Sequence, residues 1–292
     1  MKRIVPKELE TKRFHSLLLG AIGPRPIAFA STITEDGQAN LAPYSFFNAF
    51  SSNPPILIFS SNRRVRDNTT KDTLSNVEAN GEVVINVVSY NIARQMALAS
   101  VEYPGDVDEF EKAGFHKLDS EMVKPYRVKE SPVQFECKVQ EIKPLGEHGG
   151  AGNLIICEVV LMHVDERILD ADGKIDQHKI DLVGRAGGMR YVRASGEAVF
   201  EIVQPVAQIG IGFDQLPEAI RHSTVLTGSE LGALAAVEAL PTEDEIKAEL
   251  AGNPRLSSYS EEDLHRMAQK MIAGGGIENA WRILMCNKLK DF

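Results

Sequence analysis

The sequence predicts a mainly β fold for the first two thirds of the chain, followed by a helical C-terminal part. The first part contains β-branched or apolar runs that are separated by turn signals. The Asp36-Gly37 dipeptide stands between two such segments and is typical of a tight hairpin. After about Gln204, Ser or Thr residues precede acidic residues by three positions, which is the spacing of a helix capping box.

Five runs are predicted as strands, and several of them are apolar throughout rather than alternating, so we expect both of their faces to be covered. A second hairpin is expected to turn within the glycine-rich stretch 146–153. The predicted strands are residues 26–33, 55–60, 82–88, 133–142 and 153–164. The predicted helices are residues 8–19, a helix from a cap at Thr70 or Asp72 to about Asn80, and residues 91–100.

Three residue pairs mark helix starts in the C-terminal part. They are Thr227 with Glu230, Thr242 with Glu245, and Ser260 with Asp263. The last helix of these three is predicted to stop at the glycines 274–276. Residues 204–292 hold 8 Lys or Arg and 13 Asp or Glu, a net charge of −5. We predict two domains, 1–203 and 204–292, of which the second is an acidic helical extension. This extension is expected to pack on the first domain or across a dimer. Alternatively, it covers the ligand of the first domain or binds a partner protein.

Composition argues against several classes of function. The chain of 292 residues has a formal net charge of −9, whereas affinity for nucleic acid comes from clustered Lys and Arg, so nucleic acid is not an expected partner. Cys137, Cys157 and Cys286 lack the spacing of disulfides or zinc ligands, and we expect reduced thiols and no metal. No apolar run has the length of a signal peptide or a membrane span, so we expect a cytoplasmic location without membrane association.

The residues that could carry chemistry are concentrated between positions 23 and 73. Prolines flank the apolar strands of residues 23–55, where free backbone amides and aromatic rings near Tyr44 could grip a flat heteroaromatic ring. Residues 60–64 and 69–73 offer hydroxyls, two arginines, Lys71 and a helix start, which are the groups that bind a phosphate. By itself, this second segment also fits an ordinary N-cap beside a solvated lysine.

The order and spacing of these pieces resemble the flavin reductase-like family over about residues 8–193. The resemblance is carried by Arg25-Pro26, Asp36-Gly37, Asn40, Ala42-Pro43, Ser45, Asn53-Pro54-Pro55, Lys71-Asp72-Thr73, strand 82–88, the stretch 110–115, strand 158–164, and Gly184 with Gly187-Gly188. Membership of this family implies a six-stranded antiparallel Greek-key split barrel. It also implies a homodimer, with FMN bound near the dimer interface. The C-terminal part exceeds the minimal domain of the family.

The resemblance further implies which residues hold FMN. The ring is expected at Ser31, Thr32, Ala42, Tyr44 and Ser45, and the phosphate at Ser60, Asn62, Lys71, Asp72 and Thr73, with Arg25 at either end. Because a carboxylate does not attract a phosphate, Asp72 would orient Lys71 or cap the helix. His116 is the candidate catalytic residue, since the stretch 110–115 before it can approach the flavin in this family. A loop histidine that faces solvent is the competing interpretation.

Amino-acid side chains do not supply hydride or electron transfer, so bound FMN would perform it. The first hypothesis is an oxidoreductase in which NADH or NADPH is a transient electron donor and FMN passes electrons, or itself, to an acceptor such as a partner oxygenase. The second is a flavoredoxin-like electron carrier or flavin-binding protein without NAD(P)H turnover of its own. The third hypothesis is a structural or interaction protein that has kept the barrel but no longer binds a ligand. The chain has neither a Gly-x-Ser-x-Gly elbow nor a dinucleotide fingerprint, so a hydrolase is disfavoured and a nicotinamide is expected to bind transiently over the flavin.

Overall fold

The computed structural model describes residues 1–105, 107–202 and 209–289 of the chain. The chain forms two compact units, Met1–Phe200 and Glu201–Phe292. The predicted domain boundary between Val203 and Gln204 lies outside the described residues.

Strands occur in the first unit. In chain order they are β1 (Ala28–Ile33), β2 (Ala39–Tyr44), β3 (Phe47–Ser52), β4 (Pro55–Asn62), β5 (Glu82–Val87), β6 (Lys117–Leu118), β7 (Arg127–Val128), β8 (Val133–Pro144), β9 (Gly152–Val164), β10 (Leu182–Arg185) and β11 (Tyr191–Ala194). The pairs β6–β7 and β10–β11 are separate two-stranded sheets.

Helices occur in both units. Those of the first unit are α1 (Thr11–Ala21), α2 (Asp72–Asn80), α3 (Ala93–Leu98), α4 (Glu109–Ala113) and α5 (Gln177–Ile180). Those of the second unit are α6 (Glu218–Arg221), α7 (Gly228–Ala235), α8 (Glu243–Gly252), α9 (Glu261–Ala273) and α10 (Ile277–Met285).

Seven strands form one antiparallel sheet in the order β2-β1-β5-β8-β9-β4-β3. Its two edge strands, β2 and β3, follow one another in the chain and are separated by Ser45 and Phe46. Because the chain passes from one edge to the other within two residues, the sheet must curl until its edges approach. The expected antiparallel split barrel is confirmed. It has seven strands rather than six because the crossing at Ser45 and Phe46 divides the segment 39–52 into two.

The connection from β4 to β5 gives the sheet its Greek-key order. It runs through α2 and places β5 between β1 and β8, away from β4. Helix α2 makes contact with β1 and β2 in this connection. The connection from β4 to β5 thus brings the start of α2 close to the C-terminal end of β2, where the predicted flavin residues Ala42 and Tyr44 lie.

Strand β1 explains why the apolar runs do not alternate. All six of its residues are buried. Ala28 and Ala30 belong to the core inside the curled sheet together with Phe59, whereas Phe29 packs on the opposite side against Phe115, with ring centroids 5.2 Å apart. The expectation that both faces of this strand are covered is therefore confirmed.

Two of the predicted helices differ in their details. Helix α1 starts at Thr11 instead of residue 8. Helix α2 has Lys71 as its N-cap residue, and no side chain caps it. The expectation that Thr70 or Asp72 caps α2 is therefore wrong: Asp72 is the first helical residue, and it is exposed.

The second unit has a core of its own, in which Leu234, Leu256, Leu264 and Trp281 are buried. The indole Nε1–H of Trp281 donates to the Leu234 carbonyl at 3.0 Å. All three predicted capping boxes are formed at the starts of α7, α8 and α9, and α9 ends at the expected glycines. Local signals were sufficient here because each cap is made within four residues.

No helix of the described residues is long and apolar enough to cross a membrane. Among the same residues, no group of three or more His, Cys, Asp and Glu side chains is placed to hold a metal ion. Cys137, Cys157 and Cys286 are buried, and burial raises the pKa of the Cys137 and Cys157 thiols.

Candidate functional site

A small cleft lies between the end of β2 and the start of α2. Its lining comes from β2 (Asn40, Ala42, Pro43, Tyr44), from the α2 start and the loop before it (Arg64, Lys71, Asp72, Thr73), from residues 99–103, and from Glu109 of α4. Its volume is about 60 Å³. Pockets that enclose a whole small ligand have roughly 300 Å³ or more. The cleft is therefore large enough for a compact group and too small for a whole cofactor.

Lys71 is the most unusual side chain of this cleft. It is half-buried, and its ammonium lies 5.0 Å from the centroid of the Tyr44 ring. Among the described residues no carboxylate pairs with it at ion-pair distance. Burial and the neighbouring Arg64 lower the pKa of Lys71, and Glu102 partly opposes this. A half-buried cation beside a second cation is a place where an anion would be stabilised.

Arg64 is held beside Lys71 by two sets of contacts. Its Nη1 donates to Thr69 Oγ1 at 3.0 Å and to the carbonyl of Thr70. Its Nε donates to Glu102 Oε1, also at 3.0 Å. These contacts fix the guanidinium at the wall of the cleft, where it can face an anion.

The start of α2 adds backbone donors to the two cations. The first amides of a helix have no carbonyl partner within the helix, and the N–H groups of Asp72 and Thr73 accordingly make no hydrogen bond with another described residue. No side chain caps this end of the helix. The Thr73 hydroxyl donates to Asn40 Oδ1 at 2.8 Å, so its hydrogen is already used. The contribution of Thr73 to an anion would come from its backbone N–H.

A buried network of polar side chains fixes the elements around the cleft. Glu109 accepts from the Leu41 amide at 3.0 Å and from Asn40 Nδ2 at 3.2 Å. Asn40 Oδ1 in turn accepts from the hydroxyl of Thr32 at 3.2 Å, and Asn76 donates to the same hydroxyl. Burial raises the pKa of Glu109. The network ties β1, β2, α2 and α4 together, so the cleft is held in one shape.

Three hydroxyls next to this network are buried without a partner. They are those of Ser31, Tyr44 and Ser61, none of which makes a hydrogen bond with a described residue. The Tyr44 hydroxyl lies close to Ser61 and Thr73, and burial raises the pKa of Tyr44 to about 12. Unpartnered polar atoms are rare in protein interiors and mark places where a ligand or water can complete the bonding.

The structure brings five of the predicted flavin residues together at the cleft: Ala42, Tyr44, Lys71, Asp72 and Thr73. Thr32 reaches the cleft through Asn40. Ser31 is fully buried in β1.

The remaining predicted residues do not line the cleft. The Arg25 guanidinium is buried and donates to the carbonyls of Leu19, Ile22 and Ala186, and its Nε lies 3.4 Å from Ser45 Oγ. Its donors thus hold the end of α1. Ser60 donates to Asn62 at 3.0 Å. Asn62 Nδ2 donates to the Gly150 carbonyl at 3.3 Å, so these two residues join β4 to the turn between β8 and β9.

His116 is placed on the surface. Its side chain is mostly exposed, and Nδ1 lies 2.5 Å from Glu130 Oε1. It does not line the cleft. The geometry therefore gives no support to a catalytic role for this residue.

The sequence analysis did not predict Glu102 and Glu109 as residues of the site. It included Asn40 among the residues that carry the family resemblance, but it assigned no role to Asn40. These residues are far from Lys71 in the sequence and meet it through the fold. A signal was present for Glu109, because Asp108 caps α4 and the next residue points back towards β2. Glu102 follows α3 in a loop and carries no such signal.

Known proteins resemble this chain over its first unit. Residues 21–179, more than half of the chain, match the model of the flavin reductase like domain. An uncharacterized protein from Aquifex aeolicus is 40% identical over 198 residues, which are 68% of this chain and 98% of the relative.

Two solved structures also resemble this chain over about two thirds of its length. Nitrilotriacetate monooxygenase component B from Bacillus cereus has a TM-score of 0.64 and 32% identity, over 69% of this chain and 98% of that chain. The 2-nitrobenzoate 2-nitroreductase NbaA from Pseudomonas fluorescens has a TM-score of 0.60 and 27% identity, over 69% and 96%. The match to the family model confirms the resemblance inferred from the motifs, and the chain belongs to the flavin reductase-like family.

Proposed function

We propose that this flavin oxidoreductase family member binds FMN at the cleft, with NADH or NADPH as its electron donor and a second protein or small molecule as its acceptor. The observation that carries the proposal is the pair of Lys71 and Arg64 at the uncapped start of α2. No acidic side chain of the described residues forms an ion pair with Lys71, and the net charge of −9 argues against nucleic acid as a partner. A phosphorylated small molecule is therefore the best candidate for the partner of Lys71.

The residues present fit the phosphate end of FMN. The phosphate would accept hydrogen bonds from the Lys71 ammonium, the Arg64 guanidinium and the amides of Asp72 and Thr73. A phosphate monoester carries between about one and a half and two negative charges at neutral pH, which offsets both cations. Ser60 and Asn62 would not contact the phosphate and would instead stabilise the loop that carries Arg64. The carboxylate of Asp72 would remain at the helix start without touching the phosphate.

The ring of the flavin would lie along the end of β2, outside the 60 Å³ of the cleft. Ala42 and Tyr44 pair with β1 on one side only, because β2 is an edge strand of the sheet, and Ser45 lies where the chain crosses to β3. The other side of this segment therefore has backbone groups that are not used in strand pairing. Thr32 would act on the ring through the buried network, and Ser31 would offer its unpartnered hydroxyl next to that network. Arg25 would position Ser45. The flavin supplies the electron transfer, and the protein supplies binding and orientation.

A homodimer is part of the proposal. Five of the six residues of β3 are exposed, and Phe50 keeps 63% of its surface accessible. An exposed edge strand with a large apolar side chain is a surface that a second copy can cover. Sedimentation or light scattering of the purified chain would test this, since a monomer at micromolar concentration would contradict it.

The first test concerns the phosphate. Replacing Lys71 with alanine should weaken FMN binding by about tenfold or more, because a charge-assisted hydrogen bond contributes roughly 1.5–3 kcal/mol. Riboflavin, which lacks the phosphate, should bind the variant and the parent alike. The exposed Lys174, in the turn after Leu169, provides the matched control, and Lys174→Ala should change neither affinity. Equal losses for FMN and riboflavin in Lys71→Ala would contradict the phosphate assignment.

The second test concerns the reaction. Purified protein loaded with FMN is mixed anaerobically with NADH or NADPH, and its visible absorbance is followed. Bleaching is the expected result, and the faster donor identifies the nicotinamide. FMN that stays bound and is not bleached would replace this proposal with an electron carrier. Two structural relatives are a monooxygenase component and a nitroreductase, which supports an oxygenase or a nitro compound as the first acceptor to test.

A further inference from the structure

Glu102 joins two arginines beside the cleft. Its Oε1 lies 3.0 Å from Arg64 Nε, and its Oε2 lies 2.7 Å from Arg66 Nη2. We call these three residues the Glu102 bridge. Both oxygens of one carboxylate are used, and the side chain of Glu102 keeps 44% of its surface accessible. The bridge is thus an arrangement that can open without disturbing the core.

The bridge uses a donor that a phosphate would also use. Arginine binds a phosphate most strongly through two parallel N–H groups. Nη1 of Arg64 is already held by Thr69 and Thr70, and Nε is held by Glu102. A two-pronged contact through Nε and Nη2 is therefore open to a phosphate after Glu102 has left Nε.

The charges around Glu102 also indicate that its carboxylate occupies a place suited to a phosphate. Three cations, Arg64, Arg66 and Lys71, lie around Glu102, and its carboxylate favours the charged form of Lys71. The carboxylate therefore does part of what a bound phosphate would do, since it offsets the repulsion between Lys71 and Arg64.

We infer that Glu102 is a built-in competitor for the phosphate of FMN, and that it keeps FMN exchangeable rather than permanently bound. The inference rests on the proposed function. When FMN binds, its phosphate takes the place of Glu102 on Arg64, and when FMN leaves, Glu102 returns. Riboflavin has no phosphate and leaves the bridge intact. Such competition would assist the release of a flavin that passes to its acceptor as a free molecule.

Two substitutions at this position separate competition from simple charge. Glu102→Gln removes the charge, whereas Glu102→Asp keeps it but shortens the side chain by one methylene, so that it no longer spans both arginines. FMN and riboflavin are titrated into the parent and both variants, and circular dichroism verifies the fold. FMN binding should tighten by about two- to fivefold in both variants, because an exposed ion pair is worth up to about 1 kcal/mol. Riboflavin binding should stay unchanged.

The outcomes distinguish this inference from the proposed function. If the parent prefers FMN to riboflavin and both variants bind FMN as the parent does, Glu102 does not compete and the inference is overturned. Tightening in Glu102→Gln alone shows a charge effect and also overturns it. If the parent binds neither flavin, the proposed function fails, and the inference fails with it.

Discussion

The hydroxyl of Tyr44 is buried at the cleft without a hydrogen bond to any described residue. Leaving such a group unsatisfied costs about 1–3 kcal/mol. Tyr44→Phe keeps the ring under the Lys71 ammonium and removes the hydroxyl, so we expect the ligand-free protein to gain about 1 kcal/mol in its free energy of unfolding at neutral pH. Urea denaturation measures this. Tyr191→Phe removes an exposed hydroxyl and should change nothing; a destabilised Tyr44→Phe would show that the hydroxyl has a partner.

The same residue predicts a difference at alkaline pH. Burial raises the pKa of Tyr44 to about 12, from an ordinary value of 10.0. Between these two values the native protein holds the proton that the unfolded chain has released, so the free energy of unfolding falls as the pH rises. The Tyr44→Phe variant lacks this contribution, and its stability should decline less than that of the parent over this interval. Parallel declines would contradict the raised pKa.

Residues of the cleft were predictable from sequence where their neighbours in the chain carry the signal. Lys71 and Thr73 lie at a helix start, and Tyr44 lies beside a proline in a recognisable motif, so local patterns placed them. Glu102 acts on Arg64 from 38 positions away in the chain. No local pattern predicts such a pair, because the distance between them is set by how α3 and the β4–α2 loop pack.

The turn between β8 and β9 positions the loop that carries Arg64. The Gly150 amide donates to the Arg63 carbonyl at 3.0 Å, and the Arg63 amide donates to the Ala151 carbonyl at 2.8 Å. A Cβ added at Gly149 would lie 2.9 Å from the Arg64 carbonyl oxygen and 3.0 Å from the Val65 Cα. The glycine is thus required by the close approach of two backbones.

Gly149→Ala should therefore move the loop that carries Arg64. We expect a loss of about 1–3 kcal/mol in the free energy of unfolding, as for other overpacked positions, together with weaker binding of FMN and little change for riboflavin. Gly20→Ala is the control, since nothing lies within 4 Å of a Cβ there and alanine favours the helix α1. Thermal melting and flavin titration of both variants measure the outcome. Unchanged FMN affinity in a destabilised Gly149→Ala would show that the loop does not position the phosphate site.

Elements with strong local signals were predicted, including the strands β1, β4, β5, β8 and β9 with their apolar runs, whereas β2 and β3 were not delimited. The hairpins at residues 33–39 and 144–152 and the capped helices α7, α8 and α9 follow from turn and cap residues. The bounds of β2 and β3 were not predicted, because small and polar residues follow one another there in no regular pattern. These two segments are held in the strand conformation by their pairing with β1 and β4. The start of α2 was misplaced because Lys71, which has no capping side chain, occupies the N-cap position.

Within its described residues, the chain consists of two units whose buried cores are built from different residues. The buried clusters of the first unit draw on residues 27–183, and that of the second unit draws on residues 216–286. The relatives from Aquifex aeolicus and Bacillus cereus match about two thirds of this chain while being covered almost entirely themselves. They are thus about as long as the first unit, which indicates that this unit is sufficient for a family fold.

A chain that ends at Phe200 should therefore fold and bind FMN with the affinity of the full chain. The reason is that the cleft, its buried network and the Glu102 bridge all lie within residues 31–109. Circular dichroism should show a cooperative melt of the shortened chain, and titration should give the same ratio of FMN to riboflavin affinity in both chains. If the shortened chain melts normally but loses FMN more readily, the second unit covers the bound flavin, which was the alternative considered for the C-terminal helices. A chain that does not melt cooperatively would instead show that the first unit depends on the second for its stability.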